Sequence, residues 1–208
     1  PIRYWMYETM LNRRSELIQI YNCPTPFNVL VFASDLNIFY DSGFSEKINF
    51  FLDIVSKKLS KDINIVIKIH PNDDVSKWMS DTLNDDVRIK FDTSSAAPNL
   101  IEQSHLIIAS DSYASLEAVY RCRIVVNYFP SDYLSVRNLK LDLVDEAYSL
   151  NATEPLEVCD FVNKIYQKTL DGDDVLEFIA PFEKTLIDGA RSISDILDSV
   201  HIPELNQS

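Results

Sequence analysis

Glycine is nearly missing from this 208-residue chain: Gly43, Gly172 and Gly189 are the only three. A GxGxxG dinucleotide fingerprint or a Walker-type phosphate loop needs more glycine, closely spaced, so both are excluded. Cysteine is scarce and odd in number. Cys23, Cys122 and Cys159 lie far apart without zinc-site spacing, which predicts reduced thiols rather than a disulfide framework. No apolar stretch approaches the roughly 18–20 residues that span a bilayer, and no charged-then-apolar signal opens the chain. Positive charge is in deficit: 19 Lys and Arg against 32 Asp and Glu leave a net charge of −13. Nucleic acid is therefore not an expected partner, since it calls for a dense cationic face. A small phosphate pocket survives this argument, because helix N-termini and a few hydroxyls can hold phosphate without net positive charge.

What the chain has is enough apolar material for a core, with 46% hydrophobic and 25% charged residues. It begins at Pro1 on an abrupt helix-like segment, from which a fragment is expected, the C-terminal half of a longer protein. Residues 1–22 read as helical, and the prolines of "NCPTPF" break that segment. "NVLVFASD" (28–35) then reads as a buried strand, and 44–59 as an amphipathic helix. "INIVIKI" (63–69) is a second strand, followed by a short helix near 75–83. "VRIKF" (87–91) is a third strand, 94–104 a brief helix and "HLIIAS" (105–110) a fourth strand. A helix over 113–121 leads to "RIVVNYF" (123–129), a fifth strand. "LKLDL" and "AYSLNA" are weaker strand candidates, 155–170 is a helix with proline in its first turn, and 183–200 is a closing helix.

Repeated strand–helix alternation predicts an α/β domain, a Rossmann-like, mainly parallel sheet with helices on both faces. The expected division is an N-terminal helical linker (1–27), the Rossmann-like domain (28–182), and a C-terminal helix and tail (183–208).

Ligands of open parallel sheets bind beyond the carboxyl ends of the strands. Those positions carry Ser34 and Asp35, then His70, Pro71, Asn72 and Asp73, then Thr93, Ser94 and Ser95, then Ser110, Asp111 and Ser112. Each has an ordinary alternative, since Ser, Asp and Asn after strands cap helices. His105 and His201 read as incidental. Glu117, slightly more than one turn into its helix among apolar neighbours, needs a partner to offset desolvation. Sugar hydroxyls would serve, and so would Arg121 four residues on, or water. "NDDV" (72–75) and "LNDDV" (83–87) read as caps and solvated turns, so neither a metal nor another cofactor is expected.

"IVIKIHPND", then "SS", then "LIIASDSYASLEAVYRCRIVV" resembles the C-terminal, donor-binding domain of GT-B glycosyltransferases of the bacterial capsule and surface-polysaccharide type, over roughly 28–130. That group has a K-x-HP element after one strand, then a strand ending in Ser and a helix carrying Glu. The resemblance implies that His70 contacts the donor phosphates or the leaving-group oxygen and is the catalytic residue. It implies that Ser94, Ser95 and Ser112 hold phosphate and that Glu117 binds ribose hydroxyls. Pro71, Asn72, Ser34, Asp35, Ser110 and Asp111 complete the implied substrate site. The implied partners are a nucleotide-sugar donor and, through an N-terminal domain outside this chain, a glycan or lipid-linked acceptor. A cytoplasmic location, with the full-length protein at the inner face of the membrane, goes with that reading. Such sites can work without a metal. UDP-sugar 2-epimerases carry a similar "TDSGG" segment, but here Tyr113-Ala114 replaces the Gly-Gly, which weakens that alternative. A non-catalytic Rossmann-like module whose acidic surface serves protein partners is the third reading.

Overall fold

The computed structural model describes residues 20–21, 26–32, 44–69, 86, 88–109, 113–121, 123–128, 150–172 and 175, with backbone alone at 44–49, 113, 116 and 120. In chain order the elements are β1 (Phe27–Phe32), α1 (Phe44–Lys58), β2 (Ile63–Lys68), β3 (Ile89–Asp92), α2 (Ala97–Glu102), β4 (Leu106–Ala109), α3 (Tyr113–Tyr120), β5 (Ile124–Tyr128), β6 (Leu150–Ala152) and α4 (Pro155–Asp171). The expected helices near 75–83 and over 183–200, the candidate strand "LKLDL", Cys23 and Cys122 lie outside the described residues, as does the first helical segment up to residue 19.

The strands form one six-stranded sheet in the order β3-β2-β1-β4-β5-β6. Every pairing is parallel. A parallel sheet is covered on both faces, so its strands need apolar side chains in both directions. Val29, Leu30 and Val31 of β1 meet that demand, as do Leu106, Ile107 and Ile108 of β4, all buried.

The helices answer the same demand from the other side. In α1, Phe51, Leu52 and Val55 are buried, and Lys57 and Lys58 lie in the last turn, where the helix dipole favours cations. In α4, Val158, Val162, Ile165, Tyr166 and Thr169 form one buried stripe at helical spacing. Pro155 opens that helix, the Glu157 carboxylate accepts the main-chain N–H groups of Thr153 and Glu154, and Gly172 closes it at φ 72°.

α1 and α4 pack together: Asn163 of α4 donates to Lys58 O and accepts from Ser60 N–H, capping the end of α1. Phe51 of α1 stacks on Tyr128 of β5 at 4.5 Å, so this pair of helices covers the face to which Tyr128 points. α2 and α3 form the other layer, joined where Arg121 meets Glu102 and where Arg123 donates to Ile101 O and Glu102 O. Right-handed crossovers require this arrangement, because β1-α1-β2 and β4-α3-β5 run in opposite directions across the sheet.

At the amino edge of the sheet, Tyr21 is buried; its hydroxyl donates to His105 O at 2.6 Å and accepts the Ile124 N–H at 3.2 Å. His105 stacks on Phe27, and its Nδ1 accepts the Asn28 N–H at 3.0 Å. Its duty is structural, at the end of the sheet away from the ligand edge.

Candidate functional site

The two strands at the centre of the order, β1 and β4, send their connections to opposite sides, and the crevice beyond their carboxyl ends is the ligand position of this topology. The registers align one row near that edge. Asp92 pairs with Lys68, Lys68 with Phe32, and on the other side Ala109 pairs with Asn127. Val31 pairs with Ile108, which sets Phe32 beside Ala109. Asn127 precedes Tyr128, so side chains of this row point to the face opposite the Tyr128 ring, toward the α2–α3 layer.

Asp92 ends β3 and organises the turn that follows. Its Oδ1 accepts the N–H groups of Ser94 at 3.1 Å and Ser95 at 2.8 Å, and its Oδ2 accepts the Ser95 hydroxyl at 2.6 Å. This is an Asx-type turn, in which a side-chain carboxylate supplies the acceptor the backbone lacks. Lys68, at the end of β2, lies 3.4 Å from the same Oδ1. Desolvation pushes the Asp92 pKa up, but the Ser95 hydrogen bonds and the Lys68 charge outweigh it, and the carboxyl stays below its ordinary value of 3.8. The main-chain N–H of Ile69 donates to Asp92 O at 3.0 Å, carrying the ladder one residue past β2.

Glu117 lies in α3 with its Oε1 3.1 Å from Arg121 Nε and 3.0 Å from Nη2. Arg121 also reaches Glu102, so the cation that competes with a sugar for Glu117 is engaged. α3 runs from the carboxyl edge back toward the start of β5, and Arg121 follows its last residue. The pair therefore draws Oε1 away from the ligand edge. Among the described residues Glu117 Oε2 takes no hydrogen bond.

Of the site residues expected from sequence, Ser94, Ser95 and Glu117 are described; Ser34, Asp35, His70, Pro71, Asn72, Ser110, Asp111 and Ser112 lie outside the described residues. Chain connectivity still limits where those segments start. His70 follows Ile69, Ser110 follows Ala109, and Ser112 precedes Tyr113, the first residue of α3. The structure brings Ser94 and Ser95 together with Asp92 and Lys68, two residues absent from the sequence-derived site. Their signals are in the chain: a lysine closing the largely apolar "INIVIK" and opening the K-x-HP element, and Asp-Thr-Ser-Ser spelling the turn.

Among the described residues no group of His, Cys, Asp and Glu is clustered as a metal site. Asp86 of "LNDDV" is paired with Arg88, which holds its carboxyl below the ordinary value despite partial burial. Asp171-Gly172-Asp173 has the spelling of a transferase metal motif, yet Asp171 and Gly172 close α4, where Asp171 accepts from Gln167.

The strand order and the row at its carboxyl edge define a Rossmann-like α/β domain, parallel throughout and layered by helices on both faces. No protein-family model matches the sequence, and no curated protein matches it. Solved structures do. A glycotransferase of kitacinnamycin matches at 12% identity and TM-score 0.48, over 84% of this chain and 43% of that one. A UDP-GlcNAc 2-epimerase from Neisseria meningitidis, bound to UDP-GlcNAc, matches at 15% and 0.47, over 91% and 52%. WaaG, a glycosyltransferase involved in lipopolysaccharide biosynthesis, matches at 13% and 0.42, over 88% and 47%. The chain spans about half the length of these proteins. At such similarity the fold assignment stands on the strand order itself. No described helix is long and apolar enough to cross a membrane.

Proposed function

We propose that this chain is the donor-binding half of a GT-B glycosyltransferase that takes a sugar from a nucleotide-activated donor in surface-polysaccharide biosynthesis. The observation that carries the proposal is the sheet itself. Its parallel order sets the carboxyl ends of β2 and β4 on one edge, on both sides of the β1–β4 switch point. On this reading residues 28–182 bind the donor, and an N-terminal domain outside this chain takes a glycan or lipid-linked acceptor.

In the transfer, the bond from the anomeric carbon to the phosphate oxygen breaks and its electron pair stays on the phosphate. The acceptor oxygen bonds to that carbon and gives its proton to a base supplied by the other domain. Negative charge grows on the departing phosphate, and donors fixed in advance stabilise that state more than the ground state. His70 fills this role, with Ser112, next to the first residue of α3, holding a phosphate oxygen and Glu117 Oε2 taking a ribose hydroxyl.

Thermal melts with CMP, CDP, UDP and GDP test the reading. One of them raises the melting temperature of the wild-type chain, and His70→Ala and Glu117→Ala each remove the rise. A wild-type chain indifferent to all four nucleotides defeats the proposal.

A further inference from the structure

We propose that Glu102 and Arg121 are positioning residues that occupy one oxygen of the Glu117 carboxylate, so that the site reads a single ribose hydroxyl of the donor. The inference deepens the donor-binding reading and rests on it for the presence of a ribose at Glu117. A vicinal diol brings two O–H donors, and an unengaged carboxylate meets them with two oxygens. Glu117 is engaged on one side. Its Oε1 accepts from Arg121 Nε at 3.1 Å and lies 3.0 Å from Nη2. Only Oε2 is left without a hydrogen bond among the described residues.

An isolated i,i+4 pair on a helix surface is too weak and too mobile to impose that choice. Here the pair is the outer end of a relay that starts in the core. The Arg123 side chain is 1% exposed. Its Nε donates to Ile101 O at 3.0 Å and its Nη2 to Glu102 O at 2.9 Å, which locks the guanidinium onto the end of α2. The same Nη2 lies 3.2 Å from Glu102 Oε2. Glu102 gives its other oxygen, Oε1, to Arg121 Nη1. The Arg121 fork is therefore gripped from both sides, by Glu102 at Nη1 and by Glu117 at Nε and Nη2. A planar guanidinium held at both edges keeps little of the freedom that weakens a solitary surface pair.

Direction fits the same role. Long helical side chains lean back toward the helix start. α3 starts at the carboxyl edge, so Glu117 leans toward the ligand side, and Arg121, four residues on, lies behind it.

Calorimetric titration with CMP, CDP, UDP and GDP, and then with the 2′-deoxy and 3′-deoxy forms of whichever binds, tests this. In wild type one deoxy form stays within about threefold of its parent. The other loses about ten- to a hundredfold, the range of one hydrogen bond to a charged group. Arg121→Met releases Oε1, and the hydroxyl that wild type ignores then counts, so both deoxy forms lose about tenfold or more against the parent. Arg121→Lys keeps a cation beside Oε1 and keeps the wild-type pattern. Glu102→Gln, which loosens the grip on Arg121, moves the pattern toward that of Arg121→Met and decides the matter if Arg121→Met does not fold. A merely structural ion pair would move the urea midpoint and leave the ratio of parent to deoxy affinities unchanged.

A wild-type chain that loses affinity equally for both deoxy forms overturns the inference and leaves the donor reading in place. A folded Arg121→Met protein with the wild-type pattern does the same. Nucleotide binding indifferent to both hydroxyls removes Glu117 from the ribose and overturns the inference as well. A wild-type chain that binds none of the four nucleotides defeats both readings.

Discussion

A carboxylate at the end of a buried strand is desolvated and is followed by chain that must turn, and Asp92 meets both conditions with the same bonds. Because its folded pKa is depressed, its contribution is complete above the unfolded value of 3.8 and is lost as pH falls through the lower folded value. Urea unfolding should therefore show wild type losing stability below about pH 4, with Asp92→Asn losing less over the same interval. An equal acid loss in both would remove Asp92 from the account. Cys159 gives a second test at this scale. Burial pushes its thiol up to about 11, with the Asp160 charge adding to the shift, so almost no thiolate forms at neutral pH. Cys159 in the native chain should resist iodoacetamide under those conditions and react promptly in urea, as read by peptide mass mapping. Residues of this kind are only partly legible in the sequence. Ser94 and Ser95 stand out as polar residues after a strand, and Lys68 as the first residue of the K-x-HP element, whereas Asp92 does not, because a charge at the end of an apolar run counts as a boundary until the neighbouring strand is known. Likewise the sequence shows that Glu117 needs a partner, but only the packed helix shows Arg121 folded back on it.

At the level of elements, the strongly periodic segments are the readable ones. Alternate isoleucines mark β2, and the 3.6-residue stripe marks α1 and α4, because a face that must be buried leaves its period in the chain. β6 has three residues and a faint local pattern; it exists because β5 offers it a parallel edge at Val126–Tyr128, which no stretch of sequence reveals by itself. The joint between α1 and β3 is invisible in the sequence as well. Arg88 is buried there, donating to Ser56 O at 2.6 Å and Ser60 O at 2.8 Å, with Nη1 3.5 Å from Leu59 O, while its charge meets Asp86. Arg88→Met takes these donors away from several carbonyls and a carboxylate. It should cost about 3–5 kcal/mol, the usual loss when half of a buried ion pair is deleted, measured as a lowered urea midpoint. A loss under about 1 kcal/mol would mean that the clasp is solvated in solution.

The whole molecule depends on how the helical end at Tyr21 is tied to the sheet. Residues 1–27 read from sequence as a linker, and the two prolines after Tyr21 invite a boundary there. Yet Tyr21 is as buried as the core strands, and its hydroxyl joins the carbonyl that leads into β4, His105 O, to the first N–H of β5, Ile124. That bridge spans 84 residues in one direction and 103 in the other. Long-range closures of this kind contribute only once the sheet has assembled, so they belong to the cooperative unit and not to a detachable arm. Two changes separate the hydrogen bonds from the packing. Tyr21→Phe keeps the ring and deletes both bonds of the hydroxyl, at an expected cost of about 1–3 kcal/mol. A chain beginning at residue 26 also loses the ring from the core and should fall further, by about 3–5 kcal/mol, the range for deleting a large aromatic. Urea midpoints with unchanged slopes would place both losses in the folded domain. If the shortened chain unfolds at the wild-type midpoint, the segment ending at Tyr21 is a linker after all, and the hydroxyl bridge adds nothing to the sheet it touches.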